Sequence, residues 1–240
     1  MTDERANVQT PDGVMDVYEA GVDGDPKGAV IVIQEAFGVN EHIRDVTRRL
    51  AAAGYHAVAP ALFHRAGGGA IDDYDHVDFN EMLKLFEGVT DDGVLTDVDA
   101  TLGRLRDQGF ADSRVGIVGF CFGGRATFLV AARRALGAAV TFYGGGIVTP
   151  GHFQFPTLID DAARLRTAWL GLFGDEDGGI PVEDVERLRA AVAAAPVETE
   201  VVRYPGAGHG FHCDARSAYH EPSARDGWSR ALAWFDRHLG

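Results

Sequence analysis

Short apolar runs alternate with amphipathic stretches along this chain, and that alternation sets the expected architecture. Ala29-Val30-Ile31-Val32-Ile33 is apolar at every position, as a strand covered on both faces must be. Asn40 to Ala53 then carries Ile43, Val46 and Leu50 on one helical face and stops at Gly54. The pairing recurs. His56 to Ala59 reads as a short strand stopped by Pro60, Asp92 to Gln108 as a helix, Arg114 to Gly119 as a strand, and Gly123 to Leu136 as a small-residue helix. Further strands are expected at Ala138 to Phe142, Ala168 to Phe173 and Glu198 to Tyr204, with helices over Val182 to Ala195 and Pro222 to Leu239. Upstream, Val14 to Glu19 alternates as an edge strand does. Strands alternating with helices predict an α/β fold: a mostly parallel sheet of about seven to eight strands, with right-handed crossovers and helices on both faces. Phe63 to Phe79, with Gly67-Gly68-Gly69, breaks the pattern and reads either as a partial lid or as a plain surface excursion.

Length and composition narrow the class. The 240 residues suit one α/β domain spanning 1–240, without internal repeats. Hydrophobic residues at 46% and charged residues at 24% match an ordinary soluble globular protein. No uninterrupted apolar run approaches the ~18 residues of a transmembrane helix, and Met1-Thr2-Asp3-Glu4-Arg5 has no apolar signal core. The expectation is a cytoplasmic protein without a membrane partner, acting as a monomer or small homo-oligomer. A net charge of −14 argues against nucleic acid and anionic membranes, which are polyanions. Lys27 and Lys84 are the only lysines among the basic residues, which reads as compositional bias. The two cysteines, Cys121 and Cys213, are expected to be reduced thiols in that compartment.

The chemistry concentrates at Gly119-Phe120-Cys121-Phe122-Gly123-Gly124, which follows the strand Val115 to Val118 and opens a helix. This is the nucleophile-elbow pattern G-x-S-x-G with cysteine in the serine position. A helix N-terminus beside the thiol favours its anion. A nucleophilic cysteine needs a base and an orienting acid, which follow in that fold in the order nucleophile, acid, base. Asp175, Glu176 and Asp177 compete for the acid after the strand ending at Phe173; the spacing after Gly174 and before Pro181 favours Asp177. His209, in the glycine-rich loop after the last strand, is the candidate base, with His212 its competitor. No partner cluster with ligand spacing accompanies these histidines, so no metal is expected. An oxyanion hole would draw one N–H from Phe122 and another from the loop after Ile33.

Gln34-Glu35-x-x-Gly38-Val39-Asn40, the Gly-x-Cys-x-Gly-Gly elbow, Gly174-x-x-Asp177 and Ala207-Gly208-His209-x-Phe211 together resemble the dienelactone hydrolase (carboxymethylenebutenolidase) family, over about Val14 to Leu239. The resemblance implies an α/β-hydrolase with a Cys-His-Asp triad acting on lactones or esters. It also implies that Glu35 contacts the resting thiol and helps form the thiolate. The family's dienelactone-degrading members hold the substrate carboxylate with arginines. Here the position four residues after the histidine is Cys213, and Asp78 to Met82 contains no arginine; Arg65 is the available substitute.

The mechanism expected from these residues has Cys121 attack an ester or lactone carbonyl while the Ala36 and Phe122 N–H groups hold the oxyanion. Phe37, Phe63, Arg65, Tyr143 and Phe211 are the candidate substrate-binding residues, and no cofactor is implied. Two other readings use the same thiol differently: a redox-sensing or stress protein on a hydrolase scaffold, and a non-catalytic binding domain. Acid and base in triad order are features neither of them needs.

Overall fold

The computed structural model describes residues 2–240 apart from 75, 152 and 154. An antiparallel hairpin, β1 (Thr2–Thr10) and β2 (Gly13–Gly21), precedes the alternating part of the chain. Then follow β3 (Ala29–Ile33), α1 (Glu41–Ala52), β4 (His56–Pro60), α2 (Phe79–Leu85), α3 (Asp91–Asp107), β5 (Val115–Phe120) and α4 (Phe122–Arg133). The chain closes with β6 (Ala138–Phe142), β7 (Ala168–Gly174), α5 (Val182–Val192), β8 (Thr199–Tyr204) and α6 (Glu221–Leu239). One eight-stranded sheet results, in the order β1-β2-β4-β3-β5-β6-β7-β8. β2 runs antiparallel to both neighbours, and β4 through β8 are mutually parallel with β3. This is the α/β-hydrolase fold.

The fully buried strands β3, β5 and β6 are those whose sequence is apolar without alternation. Helices cover both faces. Trp169 on β7 meets Phe128 of α4, with ring centroids 5.1 Å apart, whereas its near neighbour Leu172 packs toward Gly227 of α6. Odd and even positions of a strand point oppositely, so α4 and α6 lie on opposite faces. No helix among the described residues is long and apolar enough to cross a membrane.

Three elements differ from the expectation. β1 lies outside Val14 to Glu19, which therefore sits second in the sheet; the strand's TDERANVQT sequence has few apolar residues, and among residues 4–10 only Val8 and Thr10 are buried. α2 and a 3₁₀ stretch at Ile159–Arg164 are short and were not expected. The segment from Phe63 onward is tied down: Asn40 donates to Ile71 O (3.0 Å) and to the Tyr74 hydroxyl (2.7 Å), and Ile71 N donates to Phe37 O (2.8 Å). Residue 75 of that segment lies outside the described residues.

Strand order reverses between β3 and β5, since the chain moves outward to β4 from one and to β6 from the other. The crevice at the carboxyl ends of strands beside such a reversal is where open α/β sheets place their sites.

Candidate active site

Cys121 stands immediately after β5 at φ 54°, a backbone region that residues with a Cβ avoid. The conformation is held from several sides. Cys121 N donates to Phe142 O at the end of β6 (3.1 Å), and Thr141 Oγ1 on β6 donates to Gly124 O in the first turn of α4 (2.9 Å). A Cβ on Gly123 would stand 2.4 Å from Ile33 O, so only glycine lets the elbow close onto the end of β3. The thiol is thereby half-buried at the start of α4. Phe122 N belongs to the first turn of that helix, whose amides have no intrahelical acceptor.

The acid and base arrive from the next two strand ends. Asp177 follows β7, with its side chain 1% exposed. Its Oδ1 accepts from Gly179 N (2.9 Å) and its Oδ2 lies 2.7 Å from His209 Nδ1. Asp175 is instead engaged by Arg203 at 2.7 and 2.9 Å. Gly174 has to be glycine because a Cβ there would meet Ala207 O at 2.2 Å, and this close approach brings the histidine loop to the acid. His209 remains about one-third exposed. Burial acts to lower its pKa, but the negative charge of Cys121 and the hydrogen bonds of Asp177 and Cys121 outweigh it and hold His209 well above 6.5. His212 is fully buried among Phe120, Phe142 and Trp228, and burial pushes its pKa down to about 3.

Glu35, in the loop after β3, is completely buried. Neither carboxylate oxygen has a hydrogen-bond partner among the described residues, and the nearest counter-charge is Arg216 Nη1 at 3.6 Å. Arg216 also lies over the rings of Phe37 and Tyr74, at 5.5 and 5.4 Å. Burial first, then the Glu35 charge, raises the pKa values of Tyr143 and Tyr74 and pushes the Cys213 thiol up to about 11. Both Glu35 and Cys121 act on Tyr143 and on Arg216, so carboxylate and thiol share one electrostatic environment. Glu35, His42 and Cys213 bring possible ligand atoms within 4.8 Å of one another, a trio from three separate segments that spacing in the chain could not reveal. The Arg216 guanidinium beside Glu35 makes this a poor place for a cation.

Cys121, Asp177 and His209 line one cavity of about 330 Å³, together with Phe122, Arg125, Ile180, Phe153, Phe155 and backbone at Gly145, Gly146, Gly151, Gly178 and Gly179. Of the five residues expected to bind substrate, none lines this cavity. Phe37 packs edge-on against Tyr74, with centroids 5.1 Å apart. Phe63 is buried behind Phe122. Arg65 is occupied by Asp12 and Asp97. Phe211 is buried against Phe142, Tyr143 and Tyr204. Tyr143 comes nearest, its buried ring 5.2 Å from that of His209. Ala36, expected in the oxyanion hole, is buried in the Glu35 loop. Arg125, Phe153, Phe155 and Ile180 were missed, as was Arg216. Arg216 had a signal in principle, because a glutamate beneath an elbow needs a nearby cation.

Comparisons with known proteins bear on the family of the chain. The sequence profile of the dienelactone hydrolase family matches residues 15–239. The chain belongs to the dienelactone hydrolase family. A Yersinia pestis protein provisionally named carboxymethylenebutenolidase is 43% identical over 215 residues, 89% of this chain and 79% of the relative. The carboxymethylenebutenolidase of Pseudomonas putida is 30% identical over 195 residues, 81% of this chain and 79% of that one. A crystal structure from Klebsiella pneumoniae, provisionally described as a dienelactone hydrolase, superposes with a TM-score of 0.87 at 40% identity and covers 98% of both chains. This hydrolase is thus an enzyme of the carboxylic ester and lactone class.

Proposed function

We propose that the protein hydrolyses small carboxylic esters or lactones through an acyl-thioester on Cys121. The observation that carries this reading is the 2.7 Å contact between Asp177 and His209, which line one cavity with Cys121 and where the pKa of His209 is raised above its ordinary value. In the mechanism, the Cys121 thiolate attacks the carbonyl carbon and forms the C–S bond. The N–H groups of Ala36 and Phe122 stabilise the oxyanion. The His209 imidazolium gives its proton to the leaving alkoxide. Neutral His209 then takes a proton from water as it attacks the thioester, and the carboxylic acid leaves with the thiolate restored. Asp177 fixes the ring so that Nε2 faces the thiol. Glu35 acts as the second acid–base partner in forming the thiolate, with Arg216 offsetting its charge. General acid–base catalysis of this kind contributes about 10²–10⁴-fold.

The test is hydrolysis of p-nitrophenyl acetate by wild type, Cys121→Ala, His209→Ala and Cys213→Ala. Turnover should vanish in Cys121→Ala, fall by about 10²–10⁴ in His209→Ala and persist in Cys213→Ala. An unchanged rate in Cys121→Ala or in His209→Ala would sink the assignment.

A further inference from the structure

The cavity beside Cys121 also carries information about the substrate's charge and shape, given the hydrolase reading above. Its wall is a stack of phenylalanines. Phe122 and Phe155 lie with centroids 5.8 Å apart, and Phe86 backs the wall, 5.0 Å from Phe122 and stacked on Phe153 at 3.9 Å. Ile180 and glycine backbone complete the lining.

Among the described residues, Arg125 is the one Arg or Lys in that lining, and it is already occupied. Its side chain is 4% exposed. Nη1 and Nη2 grip the two Asp91 oxygens at 2.6 and 3.0 Å, and Nη2 also donates to Pro156 O. The guanidinium lies 4.9 Å from the centroid of Phe155, so the charge pair braces the aromatic wall. Asp91 cancels the charge of Arg125. Cys121 and His209, as the thiolate and imidazolium of the proposed mechanism, offset one another, and the Asp177 carboxylate leaves one negative charge over at the cavity. A substrate carboxylate here would lose its water, find no free cation and face like charge. An aryl group would gain stacking and edge contacts.

We infer that the cavity is a subsite for the neutral aromatic portion of an ester or lactone, and that the Arg125–Asp91 pair makes the enzyme select against anionic substrates. This separates the present chain from hydrolases that hold a substrate carboxylate with free arginines.

The experiment compares kcat/KM within two matched pairs, one varying the acyl group and one the leaving group. The first is p-nitrophenyl benzoate against its 4-carboxy derivative; the second is phenyl acetate against 4-acetoxybenzoate. p-Nitrophenyl acetate serves as the baseline. In at least one pair the neutral member should exceed the anionic member tenfold or more, and p-nitrophenyl benzoate or phenyl acetate should saturate at lower KM than a methyl ester of the same acid. Anionic members turned over as well as neutral ones in both pairs would overturn the inference while leaving the hydrolase reading intact. Absence of turnover on every ester, including the baseline, would overturn the hydrolase reading itself. As a second arm, Asp91→Asn uncovers the Arg125 charge and should shift the neutral-to-anionic ratio at least threefold toward the anion. A folded Asp91→Asn enzyme with an unchanged ratio would remove the charge pair from the account; the wild-type pairs carry the test if that variant does not fold.

Discussion

At the scale of single residues, the proposed chemistry depends on how His209 is charged. Burial works against its imidazolium, and Cys121 and Asp177 work for it with greater effect. A raised pKa means that the acid needed for leaving-group protonation survives above pH 6.5 and is lost only as pH rises through the elevated value. kcat/KM should therefore decline on an alkaline limb well above pH 6.5. Asp177→Asn removes one raising contribution, so that limb should move toward lower pH; a pH profile of both proteins checks it, and an unmoved limb would take Asp177 out of its role. Asp177 and His209 could be singled out in the sequence because glycine spacing and chain order mark them, and the fold brings them to 2.7 Å. The cavity wall was not legible. Phe37, Phe63 and Phe211 are as aromatic as Phe153 and Phe155, and nothing local tells a phenylalanine facing a cavity from one facing the core. Arg65 and Arg125 are each paired with aspartates, and only the fold decides which pair stands at the site.

At the scale of elements, the site is made where strand ends meet helix starts. β3 delivers Glu35, β5 delivers Cys121, β7 delivers Asp177, and the loop after β8 delivers His209. Gly123 is one of the tight joints in this assembly. Gly123→Ala would drive a methyl group against Ile33 O and Gln34 O, and backbone cannot swing aside as a side chain can. The expected loss is about 1–3 kcal/mol of stability, the usual range for overpacking. kcat should fall as well, since the Phe122 amide and Cys121 move with the helix. Urea denaturation and ester kinetics on the variant measure both, and wild-type values for each would refute the argument. Strands with unbroken apolar runs and helices with strong periodicity could be read from the chain. β1 and α2 could not, because a strand paired on one edge and a helix without buried residues need little apolar sequence.

At the scale of the whole molecule, the β1–β2 hairpin lies at one edge of the sheet, three strands away from β5 on the β2 side. The Cys121 elbow does not touch it. A chain lacking residues 2–10 should keep its esterase turnover per folded molecule yet melt at a lower temperature, because β2 becomes an unprotected edge. Thermal melts beside active-site titration distinguish this from a loss of catalysis. The positive φ at Cys121 has a different reach. Such a conformation costs about 1–3 kcal/mol, and glycine, which adopts it freely, gives back only roughly 0.5–1 kcal/mol through its looser unfolded chain. Cys121→Gly should accordingly raise the melting temperature while abolishing turnover. On the proposed mechanism, durability and turnover thus pull this one position in opposite directions.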